Sequence, residues 1–368
     1  TGNAAAMCGG GDGDGAGDPV QPVLQAAATA SQPLQQRRRL TLLPRHCRIL
    51  ALGEGDFAFS HALAESWGSV PSAPGGLIAT GFEDQAETLE RYSEAPARIM
   101  QLKELGAQVI GNVDATRLSE GPLAGMEPFD RIAFNFPLLP VSAHAVGTRS
   151  VDVHIANRAN MVAFLRNVGV LLRPQGIVAI ASKNCFPYSW WRLEAAPEWA
   201  EGELVLLGVL PWECTEYPLL YDGPCNVNRD AAVKPTDAVV FLYARRDAAR
   251  AGVFSNFLPF CSPEFPAEGR PERLLLPGKH RCVICGAWGT STKDMIAHQA
   301  GKIHKKRASL EQRWEEYRAR TCRKSWGSGY LDKVNPGHAL TGDMLCCVPL
   351  SKLCLALRGW FRAPSEEK

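Results

Sequence analysis

The sequence predicts an α/β protein with a doubly wound sheet, followed by a small Cys/His module. Three observations support this prediction: short apolar runs that alternate with helical periodicity, a proline-rich stretch after them, and a compact group of cysteines and histidines. The chain has 368 residues, of which 46% are hydrophobic and 21% are charged. These values are ordinary for a globular protein, and the length suggests two domains with tails.

Seven apolar runs are the predicted strands, and four periodic stretches are the predicted helices. The strands are expected at 49–52, 77–80, 109–110, 132–136, 177–181, 204–210 and 238–243, and the helices at 59–67, 85–105, 155–173 and 189–200. In the third helix Met161, Leu165, Val168 and Leu172 share one face, and Pro174 and Gly176 are expected to end it. Continuous apolar strands separated by helices indicate a parallel sheet covered on both faces, here over residues 46–247.

The rest of the chain divides by composition. Residues 1–45 begin as a Gly, Ala, Gln and Pro-rich segment and are predicted to be disordered. Five prolines in 248–278 indicate a linker, 279–307 is the Cys/His module, and 308–368 is a basic helix with a tail. That helix is expected at 308–321, with Leu310, Trp314 and Tyr317 on one side, and Cys346, Cys347 and Cys354 in the tail are given no role.

Charge is unevenly distributed along the chain. The net charge is +2, but residues 278–333 carry 13 basic and 5 acidic side chains, so this stretch is +8 and the remainder is −6. A polyanion is therefore expected to contact the C-terminal third first. No run of 18 apolar residues occurs, which excludes a membrane-spanning helix, and 12 cysteines in a chain of this length are expected to be reduced.

A glycine-rich turn follows the first predicted strand. It consists of Gly53, Glu54, Gly55, Asp56 and Phe57, and a helix is expected to start directly after it. Such a turn lets the backbone approach a cofactor closely at the carboxyl edge of the sheet. The dinucleotide fingerprint requires a third glycine where Ala58 stands, and the two acids oppose a pyrophosphate, so a nicotinamide-dependent oxidoreductase is disfavoured.

Acidic residues also end the next two strands. Glu83 is expected where a ribose diol would lie, and Asp114, followed by Ala115, near an adenine amino group. A sulfonium, a diol and an exocyclic amine without phosphate are the features of S-adenosylmethionine. Each carboxylate alone is equally compatible with a surface loop, but the three strand ends together predict this cofactor.

The fourth strand ends in Asn135, Phe136 and Pro137. A similar N-P-P-[YF] tetrapeptide in amino-directed methyltransferases holds a planar nitrogen nucleophile by an amide hydrogen bond and ring stacking. Asn135 and Pro137 are therefore candidate catalytic residues. The alternative is a strand-end asparagine that bonds its own turn.

With these residues the chain resembles the eukaryotic large-subunit ribosomal RNA (uridine-N(3))-methyltransferases, a Rossmann-like family. The matching motifs are G-E-G-D-F-x-F at 53–59, A-T-x-x-[ED] at 79–83, the isolated Tyr92, G-x-x-V-x-x-x-V-D-A-T-x-L at 106–118, F-D-R-I-x-F-N-F-P at 129–137, N-R at 157–158 and K-x-x-x-P-Y-x-x-W at 183–191. The resemblance implies methyl transfer from S-adenosylmethionine to a uridine imino nitrogen in ribosomal RNA or a pre-ribosome. Asp56, Asp114 or Lys183 would assist loss of the proton. The resemblance also implies a nucleolar location, with the mitochondrion as the alternative.

Two departures concern the substrate end of this pattern. Leu138, Leu139 and Pro140 stand where the family usually has a histidine and a glycine, and the late loop 217–228 contains no histidine. A catalytically inactive, RNA-binding scaffold of a ribosome or of its assembly complex is therefore the alternative function.

The Cys/His module has the ligand spacing of a zinc finger. Cys282-x2-Cys285-x12-His298-x5-His304 supplies two thiolates and two imidazoles, which are the ligands that tetrahedral Zn²⁺ takes. Because the histidines are six residues apart, a kink is expected near Gly301, and the segment resembles matrin-type fingers that bind structured RNA. Lys302, Lys305, Lys306 and Arg307 are the predicted RNA contacts; alternatively, they only solvate the finger, or the finger docks on protein.

Overall fold

The structure is a computed structural model, and it describes residues 39–72, 76–139, 152–226, 229–232, 234–262, 280–282, 284–285 and 287–321. Residues 1–38 of the predicted disordered segment 1–45, Pro140, residues 263–278 of the predicted linker and the tail with Cys346, Cys347 and Cys354 lie outside the described residues. The described parts of the first segment and of the linker are packed, because the structure buries Leu42, Leu43, Phe254, Phe257 and Cys261 in the core. Within the described part, no helix is both long and apolar enough to span a bilayer.

Seven strands form the central sheet and four more form two hairpins. The sheet contains β1 (Arg48–Leu52), β2 (Gly76–Thr80), β3 (Gln108–Ile110), β4 (Phe129–Asn135), β5 (Leu172–Lys183), β6 (Leu204–Pro211) and β9 (Ala238–Arg245). The hairpins are β7 (Cys225–Asn226) with β8 (Arg229–Ala232), and β10 (His280–Arg281) with β11 (Trp288–Gly289).

Nine α-helices occur in the described residues. They are α1 (Ala58–Trp67), α2 (Gln85–Arg91), α3 (Ala95–Glu104), α4 (Val153–Asn167), α5 (Ala196–Ala200), α6 (Tyr217–Leu220), α7 (Arg246–Arg250), α8 (Thr292–Ala300) and α9 (Lys302–Arg320). Short 3₁₀ turns lie at Gly121–Leu123, Val168–Leu171, Tyr188–Trp191, Leu193–Ala195, Trp212–Cys214 and Leu258–Phe260.

The strand order β3-β2-β1-β4-β5-β9-β6 confirms the predicted doubly wound sheet. Strands β1 to β5 pair in parallel, and the order reverses between β1 and β4, which is the switch point where such sheets bind ligands. One part of the prediction needs correction, because β9 pairs antiparallel with both β5 and β6 and the sheet is therefore mixed. The apolar composition of a strand buried on both faces does not reveal its direction.

Several predicted helices differ in the structure. The stretch 189–200 consists of two 3₁₀ turns followed by α5, and the helix expected at 308–321 already begins at Lys302. The stretch 85–105 is two helices, α2 and α3, because Tyr92 adopts an extended conformation and Pro96 begins the second helix. The stretch 155–173 is helical only to Asn167, and strand β5 already starts at Leu172. The pairing of β4 with β5 is irregular between Phe129 and Arg131, so the strand accommodates Pro174 at that point.

Helix α4 is buried on every side and not only on the predicted face. All residues from Ile155 to Leu165 are buried. The reason is that α4 lies in a core that also includes sheet residues, α5 and the apolar side of α9, whose Leu310 and Trp314 are buried in the same cluster. Helix α9 therefore begins in the Cys/His module and, further along, packs Leu310 and Trp314 into the core of the sheet domain.

Candidate functional site

The ends of β1, β2 and β3 are tied together by backbone hydrogen bonds. The Glu54 amide donates to Thr80 O at 2.8 Å, and the Gly81 amide donates to Ile110 O at 3.0 Å. The Val113 amide returns a bond of 3.0 Å to Gly81 O. These bonds hold the glycine turn, the loop with Glu83 and the loop with Asp114 at one edge of the sheet, as the sequence predicts.

Glycine is required in this turn both by contacts with neighbouring side chains and by the backbone conformation. Gly53 has a φ of +65°, and a Cβ there would lie 2.6 Å from the ring of Phe134. A Cβ on Gly55 would lie 2.6 Å from Cys225 Sγ and 2.7 Å from Tyr92 Cζ. Side chains of this chain therefore occupy the space beside Gly55 in which sequence reasoning expects a ligand.

The two carboxylates of the turn have partners within the protein. Glu54 accepts hydrogen bonds from the amide and the hydroxyl of Ser60, the former at 3.0 Å. Burial raises the pKa of Glu54 to about 7, although the Ser60 bonds act in the opposite direction. Asp56 forms an ion pair with Arg98 at 2.6 Å and accepts a 3.2 Å bond from the Ala58 amide, while Phe57, in a left-handed conformation, precedes α1 as its N-cap.

Glu83 and Asp114 differ in how far they are engaged. Glu83, whose side chain is 12% exposed, pairs with Arg91 of α2. Asp114 uses Oδ1 to accept bonds from the amide and hydroxyl of Thr116 at 2.8 and 2.7 Å. A cavity of about 240 Å³, lined by residues of segment 112–123, opens beside Asp114. Ala115 is half-buried against the core cluster that contains α4.

Asn135 is the candidate catalytic residue with the most informative environment. Its Oδ1 is buried and has no hydrogen-bond partner among the described residues. Phe136 follows with a φ of +51°, and its amide donates to Ala181 O at 2.9 Å. Buried acceptors without a partner are rare in folded proteins, so a ligand or a water molecule that donates a hydrogen bond could bind this atom. The turn-forming alternative for Asn135 has no support in the described bonds.

The remaining substrate-end residues surround this position. Pro137 is buried and Leu138 is 37% exposed. The amide of Leu139 donates to Asn157 Oδ1 of α4 at 3.3 Å, so the N-R motif residue Asn157 holds the segment after β4. Lys183 ends β5, with Nζ 3.5 Å from Thr236 Oγ1 and 6.0 Å from the centre of the Tyr188 ring. Its described contacts are thus to the neighbouring loops and not to Asn135.

The late loop packs over the glycine turn. Tyr217 and Tyr221 contact Phe59 edge to face, with ring centres 5.1 and 5.0 Å away. Cys225 reaches the turn itself, where the amides of Gly55 and Asp56 hydrogen-bond its thiol, and burial raises the pKa of that thiol to about 12. Sequence reasoning missed this role of Cys225 because the thiol is distant along the chain and belongs to no motif.

The four predicted metal ligands lie together. Their ligand atoms are all within 4.8 Å of one another. Cys282 Sγ and Cys285 Sγ are each 3.5 Å from His304 Nδ1, which is 3.2 Å from His298 Nε2. Tetrahedral zinc with Zn–S of about 2.3 Å and Zn–N of about 2.0 Å gives S···N and N···N separations of about 3.5 and 3.3 Å. The cluster could therefore hold a metal ion.

The helices that carry the two histidines are separated, as the spacing predicts. Helix α8 starts at a Ser291 cap, whose hydroxyl accepts a 3.1 Å bond from the Asp294 amide, and it ends before Gly301, which has extended dihedral angles. Helix α9 then begins at Lys302, so the helical run is interrupted at Gly301, which confirms the expected kink. Lys302, Lys305 and Lys306 are exposed on α9, whereas Arg307 is half-buried and donates to Cys285 O at 3.4 Å.

Arg158 links α9 to the sheet domain and was not assigned a function from the sequence. Its guanidinium is fully buried, donates to the carboxylate of Glu311 at 2.7 and 3.0 Å, and donates twice to Trp190 O. It also lies over the rings of Trp199 and Trp314 at 5.1 and 5.7 Å. The N-R dipeptide in the middle of an apolar helix was the available signal, because a buried arginine requires a partner.

The profile of the BMT5-like family, described as rRNA (uridine-N3-)-methyltransferase BTM5-like, matches residues 50–222. "Heavy metal-associated isoprenylated plant protein 41" of Arabidopsis thaliana is 33% identical over 171 residues, which are 46% of this chain and 32% of that protein. "Uncharacterized protein At4g26485" of the same plant is 32% identical over 177 residues, covering 46% of this chain and 78% of that protein. The crystal structure of TrmN from Thermus thermophilus is 16% identical, with a TM-score of 0.34, over 54% of this chain and 44% of that one.

The sheet order and the acidic strand ends define a Rossmann-like methyltransferase fold. The chain belongs to the BMT5-like rRNA (uridine-N3-)-methyltransferase family, because the family profile covers β1 to α6 and a relative is matched over most of its length. It spans about a third of the first plant relative named above.

Proposed function

We propose that this protein is an S-adenosylmethionine-dependent RNA methyltransferase that methylates N3 of a uridine in ribosomal RNA or a pre-ribosome. The observation that carries the proposal is the buried, unpartnered Oδ1 of Asn135 at the end of β4. The N3–H of uridine is a planar donor, and an amide oxygen at this place is its complement. Family membership supports the same substrate class.

The residues at the strand ends fit the proposed cofactor by the chemistry of their donor set. Glu83 and Asp114 offer carboxylates at successive strand ends, suited to a ribose diol and an adenine amine. The cavity beside Asp114 gives room for a planar group. When bound, S-adenosylmethionine supplies an electrophilic methyl group.

The chain's own residues have to orient the base and accept its proton. Asn135 Oδ1 would accept a hydrogen bond from the N3–H group when the base binds and so fix the orientation of the ring. Pro137 and Phe136 shape the adjoining surface. Orientation of the reacting atoms accounts for much of the rate enhancement in a displacement of this kind. Asp114, Asp56 and Lys183 remain candidates for proton acceptance; among them, Asp56 is already paired with Arg98.

The Cys/His cluster is proposed to be a zinc finger that binds structured RNA. The two thiolates and two imidazoles match the donor set of structural Zn²⁺, and Lys302, Lys305 and Lys306 present their charges to solvent. A nucleolar location is part of the proposal, with the mitochondrion as the alternative. Fluorescence microscopy of the tagged full-length protein distinguishes the two.

Methyl transfer to undermethylated large-subunit RNA, measured with radiolabelled cofactor, tests the proposed activity. Asn135→Ala should lower kcat/KM by about fivefold to 150-fold, the range for loss of one hydrogen bond to a buried donor. Its thermal stability should not fall, because an acceptor without a partner is removed. Asn167→Ala, which removes only an intrahelical bond to Ala163 O, is the matched control and should retain activity.

A scaffold without turnover is the second candidate function. The observations that favour it are the Cys225 thiol on the amides of Gly55 and Asp56 and the leucines that follow Pro137. Calorimetry with the cofactor separates the two candidates when it is combined with mass spectrometry of ribosomal RNA nucleosides. Cofactor or RNA binding with unchanged methyluridine would leave only the scaffold.

A further inference from the structure

Three aromatic rings form a cluster between the start of α4 and the loop after β5. The ring centres of His154, Phe186 and Trp190 are 5.0 to 5.9 Å apart in all three pairs. Phe186 is 61% exposed. Val153, which precedes His154 in α4, is 40% exposed. The Phe186 ring meets Trp190 edge to face and His154 at a tilt, and it remains accessible to a partner.

This aromatic cluster lies next to the substrate end of the candidate site. The loop that carries Phe186 leaves β5 at Lys183, two residues after Ala181, whose Cα pairs with Asn135 across the sheet. On the other side, Asn157 of α4 accepts from Leu139 N and donates to Val153 O at 2.8 Å. The aromatic cluster and Asn135 are therefore connected through two short segments of ordered backbone.

The aromatic cluster is held rigidly to the finger helix. Arg158 donates at 2.9 and 2.6 Å to the carbonyl of Trp190 and at the same time to Glu311 of α9. Arg313 of α9 forms a 2.5 Å ion pair with Asp152, the N-cap of α4, two residues before His154. The rings thus have a fixed position relative to α9.

A basic stripe on α9 leads from the finger to this position. Lys302, Lys306 and Arg313 are spaced by four and seven residues, so they share one face of the helix over about 16 Å. All three are exposed, and no described ion pair involves either lysine. Cations along one face with an accessible aromatic surface at the end are the combination that binds single-stranded nucleic acid.

We propose that His154, Phe186 and Trp190 form a stacking platform for one unpaired nucleobase of the RNA strand, whose phosphates follow Lys302 and Lys306. The platform would hold a nucleotide that flanks the target and so set which uridine reaches Asn135. This inference rests on the proposed function, since it requires an RNA ligand. A protein partner on the same rings would not need the adjacent lysines.

Quenching of 2-aminopurine tests the platform, because this base analogue loses fluorescence when it stacks on an aromatic ring. The probe is a uridine-rich single strand of about 12 nucleotides with one 2-aminopurine, titrated with the full-length protein. The wild type should quench the probe. Phe186→Ala should abolish the quenching and weaken affinity by about fivefold to 150-fold, and Phe186→Trp should restore both. Met100→Ala, at an exposed apolar site on α3, should bind like the wild type.

The possible failures are distinguishable. If Phe186→Ala quenches and binds like the wild type, the platform is refuted while the RNA methyltransferase proposal stands. If Phe186→Ala lowers the melting temperature by several degrees without changing RNA affinity, the ring has a structural or protein-binding role, and the platform is again refuted. If the wild type does not bind the strand, the platform is refuted, whereas the RNA methyltransferase proposal fails only if methyl transfer to large-subunit RNA is also absent.

Discussion

Replacing Glu311 by glutamine should destabilise the whole sheet domain, although Glu311 lies on α9, the helix that also carries His304 of the metal-binding cluster. The carboxylate accepts bonds of 2.7 and 3.0 Å from the buried guanidinium of Arg158, and it also pairs with Arg192 at 3.3 Å. Glutamine keeps the size of the side chain but removes its negative charge. Arg158, which has no exposed side-chain surface, would then keep an uncompensated charge in the core.

The size of the effect follows from what remains bound to Arg158. Removing one partner of a buried ion pair costs about 3–5 kcal/mol. Two bonds to Trp190 O and the rings of Trp199 and Trp314 persist, so the lower end, about 3 kcal/mol, is expected. Glu315→Gln, one turn further along α9, alters an exposed carboxylate that pairs with Arg318; it is the matched control and should cost less than about 0.5 kcal/mol.

Urea denaturation followed by circular dichroism measures both variants at equilibrium. A cost for Glu311→Gln equal to that of Glu315→Gln would show that the Arg158 charge is solvated and would refute the reasoning. The double variant Arg158→Met with Glu311→Leu provides an independent check. Because replacing a buried pair by apolar residues removes its desolvation cost, the double variant should recover most of the stability that Glu311→Gln loses.

Three further predictions concern the glycine turn and the metal cluster. Since burial raises the pKa of Glu54 from 4.5 to about 7, its proton favours the folded state, so this contribution is complete below pH 4.5 and is lost as pH rises through 7. Glu54→Gln should therefore remove up to about 3 kcal/mol of pH dependence from the unfolding free energy, and an unchanged stability profile would contradict this origin. Gly55→Ala should cost about 1–3 kcal/mol in thermal melts, because its Cβ would overlap Cys225 and Tyr92. Gly169→Ala is the control: its Cβ meets open space, so this variant should be neutral or slightly stabilising. Equal melting temperatures of the two variants would argue against close packing of Cys225 and Tyr92 on Gly55. Chelation of bound metal should increase amide hydrogen exchange in α8 but leave the part of α9 around Trp314 protected, because Trp314 belongs to the core of the sheet domain. Loss of protection in both helices would show that the two regions unfold together.

Much of the candidate site could be predicted from the sequence because it is built from local signals. The glycine turn, Glu83, Asp114 and Asn135 each follow an apolar strand directly, and parallel strands end at a common edge. The metal cluster is similar, since its ligands are brought together by one hairpin, the end of α8 and the start of α9. Spacing along the chain therefore determines which of these groups can meet.

Other features depend on packing between distant segments, and the sequence did not reveal them. The direction of β9 is set by its pairing with β5 and β6, and the division of 85–105 at Tyr92 is accompanied by contact between that ring and Gly55. Cys225 reaches the glycine turn from a loop 170 residues further along the chain.

The sequence alone determined the order of strands and helices, the acidic strand ends and the four metal ligands, because these follow from periodicity and short-range spacing. Only the tertiary structure decided that helix α9 belongs to both modules. Residues Arg158 and Glu311 are 153 positions apart, and the burial that makes their pairing necessary exists only when α4, α5 and α9 pack together. Long-range pairing of this kind is set by the free energy of the assembled core, which no local pattern encodes.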